Sequence, residues 1–260
     1  MTPGRRGGAV TGAHDRWLGR CDPSVLLAVV VAVPLALVPV FDPTRLVVLW
    51  VLAVLGALTV AGLTPSRLLA AQLPFLGFGV GVLVVNSLTR AGDVLAALGP
   101  LVVTDVGVRT GVALLLRTLV VGVVGAAFLA VTDPVRLLGS LQQVARLPVT
   151  VGCALLAAYR LLEDLPQEWS TLHRAAQVRE PAGAGEVRSL AAFGRAAFAL
   201  LASSIRRAER VSLSLESRGL GALDRRRRTV WVVAQVGARD AVLVGAVAVV
   251  TAGVLYAPAW

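Results

Sequence analysis

Two arginines each close a helical run and are followed directly by residues that stop helices. Arg179 lies at the end of LPQEWSTLHRAAQVRE, residues 165–180, and Pro181, Gly183 and Gly185 come next. Arg218 ends a second run, residues 187–217, and precedes Gly219 and Gly221. A guanidinium fixed at a helix end can make a bidentate, charge-assisted pair with a carboxylate on another protein. The local alternative is capping: the last turn of a helix has unpaired carbonyls and a partial negative charge, which an arginine stabilises. Capping serves either arginine alone, whereas two such ends in one chain favour a shared task. Farther on, Arg225, Arg226, Arg227 and Arg228 form an unbroken basic cluster about a dozen residues before a final apolar stretch.

The elements that position these residues belong to a membrane protein. Of 260 residues, 57% are hydrophobic and only 15% charged, and mean hydropathy is +0.79, well outside the range of soluble domains. Windows of about 20 apolar residues fall at residues 24–40, 44–63, 68–88, 110–131 and 240–257. This predicts an all-α integral membrane protein with about five transmembrane helices. The first window is not followed by a small-residue cleavage site, and Pro34 and Pro39 are tolerated in a packed membrane helix.

Arginine placement orients the spans. Arg5, Arg6, Arg16 and Arg20 precede the first, Arg67 lies in the second connection, and 16 of the 25 arginines fall between residues 132 and 239. The other two connections balance Asp42 with Arg45, and Asp93 and Asp105 with Arg90 and Arg109. The positive-inside rule then puts the N-terminus in the cytoplasm of a bacterial cell and the C-terminus outside. The predicted organisation is a membrane domain of four spans over 1–131, a cytoplasmic domain of long helices over 132–239 inserted before the last span, and a final transmembrane helix over 240–260. Its first part, residues 148–164, is apolar enough to lie at the membrane. In residues 165–180, Trp169, Leu172, Ala176 and Arg179 recur at helical spacing.

Several chemistries are excluded or disfavoured. All 25 basic residues are arginine, so the chain cannot carry a Walker A P-loop, which needs lysine. Cys21 and Cys153 are far apart and suggest neither a disulfide framework nor a metal knuckle. His14 and His173 are unrelated positions, and the spans offer no paired aspartates for a metal-diphosphate enzyme. No metal or cofactor site is expected. A basic pI near 11.4 is explained by topology, without the aromatic-basic interleaving that stacks bases, so no nucleic-acid partner is expected. The Arg225–Arg228 cluster reads as a membrane-surface contact with anionic lipid. Arg117, inside the fourth window, is costly there. It reads as snorkelling or paired within the bundle, ahead of a contact to another subunit or a lipid phosphate, with Asn86 and Thr89 as candidate hydrogen-bonding neighbours.

The ordered set TDPVRLLGSLQQVARLP, YRLLEDLPQEWSTLHRAAQVRE and RRAERVSLSLESRGLGA resembles the transmembrane T subunit of energy-coupling factor (ECF) transporters, the EcfT/CbiQ/BioN family. The matching positions are Thr132 with Pro134, Leu147-Pro148, Arg160, Glu168, Leu172, Ala175 with Arg179, Arg207 to Arg210, and Glu216 to Gly219. Asp22-Pro23 and Asp240 match the openings of the first and last spans. The family's two Ala-Arg-Gly motifs read Val178-Arg179-Glu180 and Ser217-Arg218-Gly219 here: the first lacks both Ala and Gly, the second has Ser217 for Ala, the arginine is kept in both, and Glu180 is able to compete for Arg179. The resemblance implies a non-catalytic scaffold of a vitamin or transition-metal importer. Its partners would be two cytoplasmic ATP-binding cassette subunits, which bind the ATP, and a small membrane substrate-binding subunit. Val178, Arg179, Ser217, Arg218 and Gly219 would dock the ATPases. A conventional ABC permease and a multi-pass membrane enzyme are the alternatives. The permease's Glu-Ala-Ala loop is absent apart from an echo in Leu147-Pro148.

Overall fold

The computed structural model describes residues 17–98, 101–179, 190–220 and 236–256, with the side chains of 96–98, 101–102, 176–179, 190–192 and 255–256 left aside. A 3-10 turn, Trp17–Arg20, leads into α1 (Pro23–Leu37), α2 (Pro43–Thr59) and α3 (Pro65–Thr89). Strands β1 (Val94–Leu98) and β2 (Leu101–Thr104) follow, then α4 (Asp105–Val131), α5 (Pro134–Gln143), α6 (Val149–Arg179), α7 (Leu190–Ser217) and α8 (Ala238–Tyr256). The described residues are thus mostly helical. Two compact units are formed, one by Met1–Leu137 with Ala234–Trp260, the other by Leu138–Val233.

In the first unit the helix starts are written in the sequence. Asp22 accepts from the Ser24 amide and hydroxyl with Pro23 at the first helical position, and Asp42 accepts from the Thr44 amide beside Pro43. Each carboxylate satisfies an orphan N–H, and proline costs nothing where no N–H is needed. Helices α3 and α4 are long and apolar enough to cross a membrane; α1 and α2 are apolar but shorter, at 15 and 17 residues. Pro39, beyond α1, and the Asp42-Pro43 start of α2 crowd that connection. The 24–40 window therefore contains a shorter helix than its hydropathy suggests.

Helix α4 runs through the core of this unit. Its Ala113 and Val120 pack with Val33, Leu37, Val40, Leu46 and Leu49; its Val123 with Ala57 and Leu68; its Val131 with Cys21, Leu26 and Ala61. Against α3 the approach is close enough to require glycine. A Cβ on Gly111 would sit 3.0 Å from the Leu83 Cα, and one on Gly107 would sit 2.6 Å from the Asn86 carbonyl oxygen. Small residues four apart let membrane helices touch backbone to backbone.

The Asp22 amide donates to Asp240 Oδ1 at 2.8 Å, and the Gly237 amide to Asp240 Oδ2 at 2.8 Å. The buried carboxylate thus joins the N-terminal ends of α1 and α8. Leu243 of α8 packs on the Cys21, Leu26, Ala61 and Val131 cluster, which includes the C-terminal ends of α2 and α4.

Residues 89–109, a connection between apolar windows in the sequence, contain a hairpin. Its strands are antiparallel, Val94 opposite Thr104 and Leu98 opposite Leu101, with a register shift between Val94 and Ala96. Apolar runs of four or five residues carry no periodicity that separates strand from helix end. Thr104 ties the hairpin down: its hydroxyl donates to the Arg90 carbonyl at 2.8 Å and accepts from the Gly107 amide at 3.2 Å, capping α4.

Candidate functional site

The second unit contains both helix-terminal arginines. Residues 149–179, which span two runs read separately in the sequence, form one helix, α6, that continues through Pro166. The turn before it is tight: Arg146 has φ 55°, and Gln142 occupies the space a Cβ on Gly152 would need.

Helices α6 and α7 are joined by a ladder of polar and aromatic contacts. Arg207 Nη1 lies 3.3 Å from Asp164 Oδ2 and 3.7 Å from Glu168 Oε2. The Ser203 hydroxyl donates to Glu168 Oε1 at 2.9 Å, and the Trp169 and Phe193 rings meet at 5.3 Å, tilted by 56°. Partners rise along α7 as they fall along α6, so the pair is antiparallel. Glu168 and Arg207 were singled out in the sequence only as separate motif positions. Their spacing within one chain gives no sign that they meet, because the pairing is set by where α7 folds back.

Arg218 lies eleven residues beyond Arg207, and Arg179 eleven beyond Glu168, each about 16 Å along its own helix axis. The antiparallel order sends these two ends in opposite directions from the ladder. The two arginines are not brought together.

The end of α7 is built as the sequence implied. Gly219 has φ 80°, a conformation that costs other residues energy. Its amide donates to the Glu216 carbonyl at 2.9 Å, and the Leu220 amide reaches back to the Leu215 carbonyl at 3.0 Å. That pair of bonds is the Schellman arrangement, which satisfies the last carbonyls with backbone alone. The Ser217 hydroxyl donates to the Ser214 carbonyl at 2.9 Å, and Glu216 is engaged by the Ser212 hydroxyl at 3.1 Å. Arg218 is exposed, and no hydrogen bond or ion pair of its side chain occurs among the described residues. Capping therefore does not occupy its guanidinium.

At the end of α6 the backbone reaches Arg179, while the side chains of Val178 and Arg179 lie outside the described residues, as do Glu180, Pro181, Gly183 and Gly185. Arg225 to Arg228 and His14 lie outside them too. His173 is an exposed position on α6.

Arg117, on α4, has a role its neighbours in sequence do not reveal. Its Nη2 donates to the Val38 carbonyl at 3.1 Å and the Val40 carbonyl at 2.6 Å, and its guanidinium carbon sits 5.2 Å from the centre of the Phe41 ring. These carbonyls follow the last turn of α1, where the helix cannot satisfy them itself. Asn86 and Thr89 are not its partners. They bond back to the Val82 and Val85 carbonyls of their own helix, the usual outlet for a polar side chain in an apolar helix. Among the described residues no group of three or more His, Cys, Asp or Glu is placed to hold a metal ion.

Comparison with known proteins agrees with this architecture. The family described as the cobalt transport protein CbiQ matches residues 14–229. A Bifidobacterium longum (strain NCC 2705) protein whose name includes "ABC transporter ATP-binding protein" is 30% identical over 252 residues, which cover 91% of this chain and 31% of that relative. The chain thus spans about a third of the length of the curated relative it matches. With its apolar helices and a family match running through both units, the chain belongs to the CbiQ cobalt transport protein family and is a membrane component of a transporter.

Proposed function

We propose that this chain is the energy-coupling transmembrane subunit of an ECF-type ABC importer. It links two cytoplasmic ATP-binding cassette ATPases to a small membrane subunit that binds the cargo, a cobalt ion or a vitamin. The chain itself catalyses nothing: ATP is bound and hydrolysed by the partners, and α6 and α7 transmit the motion.

The observation that carries this reading is the exposed guanidinium of Arg218, which has no side-chain partner among the described residues, on a helix end already closed by its own backbone. A side chain spared from capping, on a rigid terminus, is positioned for a carboxylate of another protein. Arg179 ends the antiparallel partner helix on the other side of the ladder, which suits docking on a second ATPase. The Bifidobacterium relative supports the partnership: its name is that of an ATP-binding protein, yet nearly all of this chain matches only a third of it. A segment like this one thus occurs within a longer chain named for ATP binding.

The membrane arrangement proposed is five spans, α1 to α4 and α8. Asp240 joins the starts of α1 and α8, near the ends of α2 and α4, an arrangement that suits an even number of crossings before the arginine-rich residues 132–239. The positive-inside rule makes that end cytoplasmic. Arg225 to Arg228 then lie against the cytoplasmic lipid surface, outside the ATPase contact.

Co-expression with the ATPase subunits and affinity purification through this chain tests the proposal. The wild type brings down both ATPases; Arg218→Ala loses most of the complex, because truncating one partner of a buried charge pair costs about 2 to 5 kcal/mol. Arg179→Ala weakens it less, since Glu180 competes for that side chain, and the double variant is worse than either. Undiminished recovery with the double variant refutes the docking role.

A further inference from the structure

The membrane unit contains an apolar groove of about 380 Å³ between α1, α2, α4 and α8. It runs from Trp17 and Phe128 at the end where α1 and α8 begin to Val33 and Leu49 midway along the bundle. The volume lies within the range of about 300 to 1,000 Å³ usual for small-molecule pockets. Its walls are Val, Leu and Ala almost throughout. The one hydroxyl in them, of Thr251, already donates to the Val247 carbonyl at 2.7 Å. Apart from the Trp17 indole N–H at the mouth, the walls among the described residues offer no side-chain group to orient a polar or hydrated ligand, so the occupant is hydrocarbon.

The mouth has the opposite character. Arg20 and Arg239 are exposed there, Arg20 directly after the 3-10 turn that carries Trp17, and Arg239 in the first turn of α8 beside Asp240. Arg136 Nη1 donates to the Gly19 carbonyl at 3.2 Å, which brings a third guanidinium to the same end. Three carboxylates lie at this same end and are engaged within the fold: Asp240 by the Asp22 and Gly237 amides, Asp22 by the Ser24 amide and hydroxyl, and Asp133 by the Val135 amide, whereas Arg20 and Arg239 are exposed. Trp17, partly exposed at the mouth, is of the type that sits at headgroup level.

We propose that this groove binds one acyl chain of an anionic phospholipid, whose phosphate is held by the Arg20, Arg136 and Arg239 rim. Charge at one end and hydrocarbon walls beyond it match the two parts of such a lipid, and a transmembrane helix of a partner subunit would leave the basic rim unused. The lipid wedges between α8 and the α1–α2 pair, filling space that these helices leave open.

Gly56 gives a clean test. It lines the groove, and a Cβ there meets nothing within 4 Å, so Gly56→Leu starts from open space, places its side chain in the path of an acyl chain and favours the helix. Native mass spectrometry of the full chain, purified and then exposed to mixed micelles of phosphatidylglycerol and phosphatidylcholine, reads the retained lipid. The wild type retains one phosphatidylglycerol in preference to phosphatidylcholine. Gly56→Leu loses it, and Arg20→Gln/Arg239→Gln lowers the anionic preference about twenty-fivefold, each charge at a membrane surface contributing about fivefold. Equal retention of the two lipids, or unchanged retention by Gly56→Leu, overturns the proposal. So does a Gly56→Cys variant that crosslinks in membranes to a partner membrane protein instead of to a thiol-reactive lipid.

Discussion

At the scale of single residues, the question is whether an arginine is spent inside the fold or left for a partner. Arg117 is spent: it closes the end of α1 with two carbonyl bonds. Arg117→Leu leaves those carbonyls unpaired beside lipid, and hydrogen bonds to charged groups are worth about 1.5 to 3 kcal/mol. The detergent-solubilised variant should unfold at a clearly lower temperature than wild type; an unchanged midpoint would show that water or lipid serves those carbonyls equally well. Arg218 has no side-chain partner among the described residues, and the chemistry of its proposed contact is testable by a conservative change. Arg218→Lys keeps the charge and loses the planar fork, so recovery of the ATPases in a pull-down should fall between wild type and Arg218→Ala. Recovery equal to wild type would mean that charge alone suffices. The position of Arg218 was legible in the sequence because Gly219 marks a helix stop. The partners of Arg117 were not, since they follow a neighbouring helix 77 and 79 residues away in sequence.

Among the elements, the best-read ones were those with a local signal. Hydropathy marks α1 to α4 and α8, and Asp22-Pro23 matches a span opening, whereas the Asp42-Pro43 start of α2 emerges only in the structure. The β1–β2 hairpin had no period to announce it, and the α6–α7 ladder depends on a fold-back that spacing does not encode. Pairing of α3 with α4 was missed although Gly107 and Gly111 sit four apart, because that signal is common in apolar helices and specifies no partner. The structure makes it specific. Gly111→Leu would push a side chain into the Leu83 backbone, and overpacking of this kind costs typically about 1 to 3 kcal/mol. Reduced yield of folded protein and a lower unfolding midpoint are expected. A Gly125→Leu control, where nothing lies within 4 Å of an added Cβ, should be neutral, and equal effects of the two substitutions would contradict the close-approach account.

For the whole molecule, composition made membrane residence plain, and the arginine distribution gave an orientation that labelling can test. In a Cys153→Ser background, Ser217→Cys and Ala91→Cys occupy exposed positions. Native Cys21 is buried, and burial, with Asp240 nearby, pushes its thiol pKa up, so it labels slowly. A membrane-impermeant maleimide applied to intact cells should reach Ala91→Cys and spare Ser217→Cys; the reverse pattern would invert the proposed orientation. What one chain's sequence does not encode is its partners' surfaces, so the coupling role rests on function measured in the assembled transporter. The most direct measurement places the complex in proteoliposomes and follows ATP hydrolysis and cargo uptake together. The account predicts that this chain alone hydrolyses no ATP, having no lysine for a P-loop. It also predicts that wild-type complex couples hydrolysis to uptake, and that Arg179→Ala/Arg218→Ala abolishes uptake while ATPase activity of the nucleotide-binding subunits persists. Full uptake by the double variant, or hydrolysis by the purified chain alone, would contradict it.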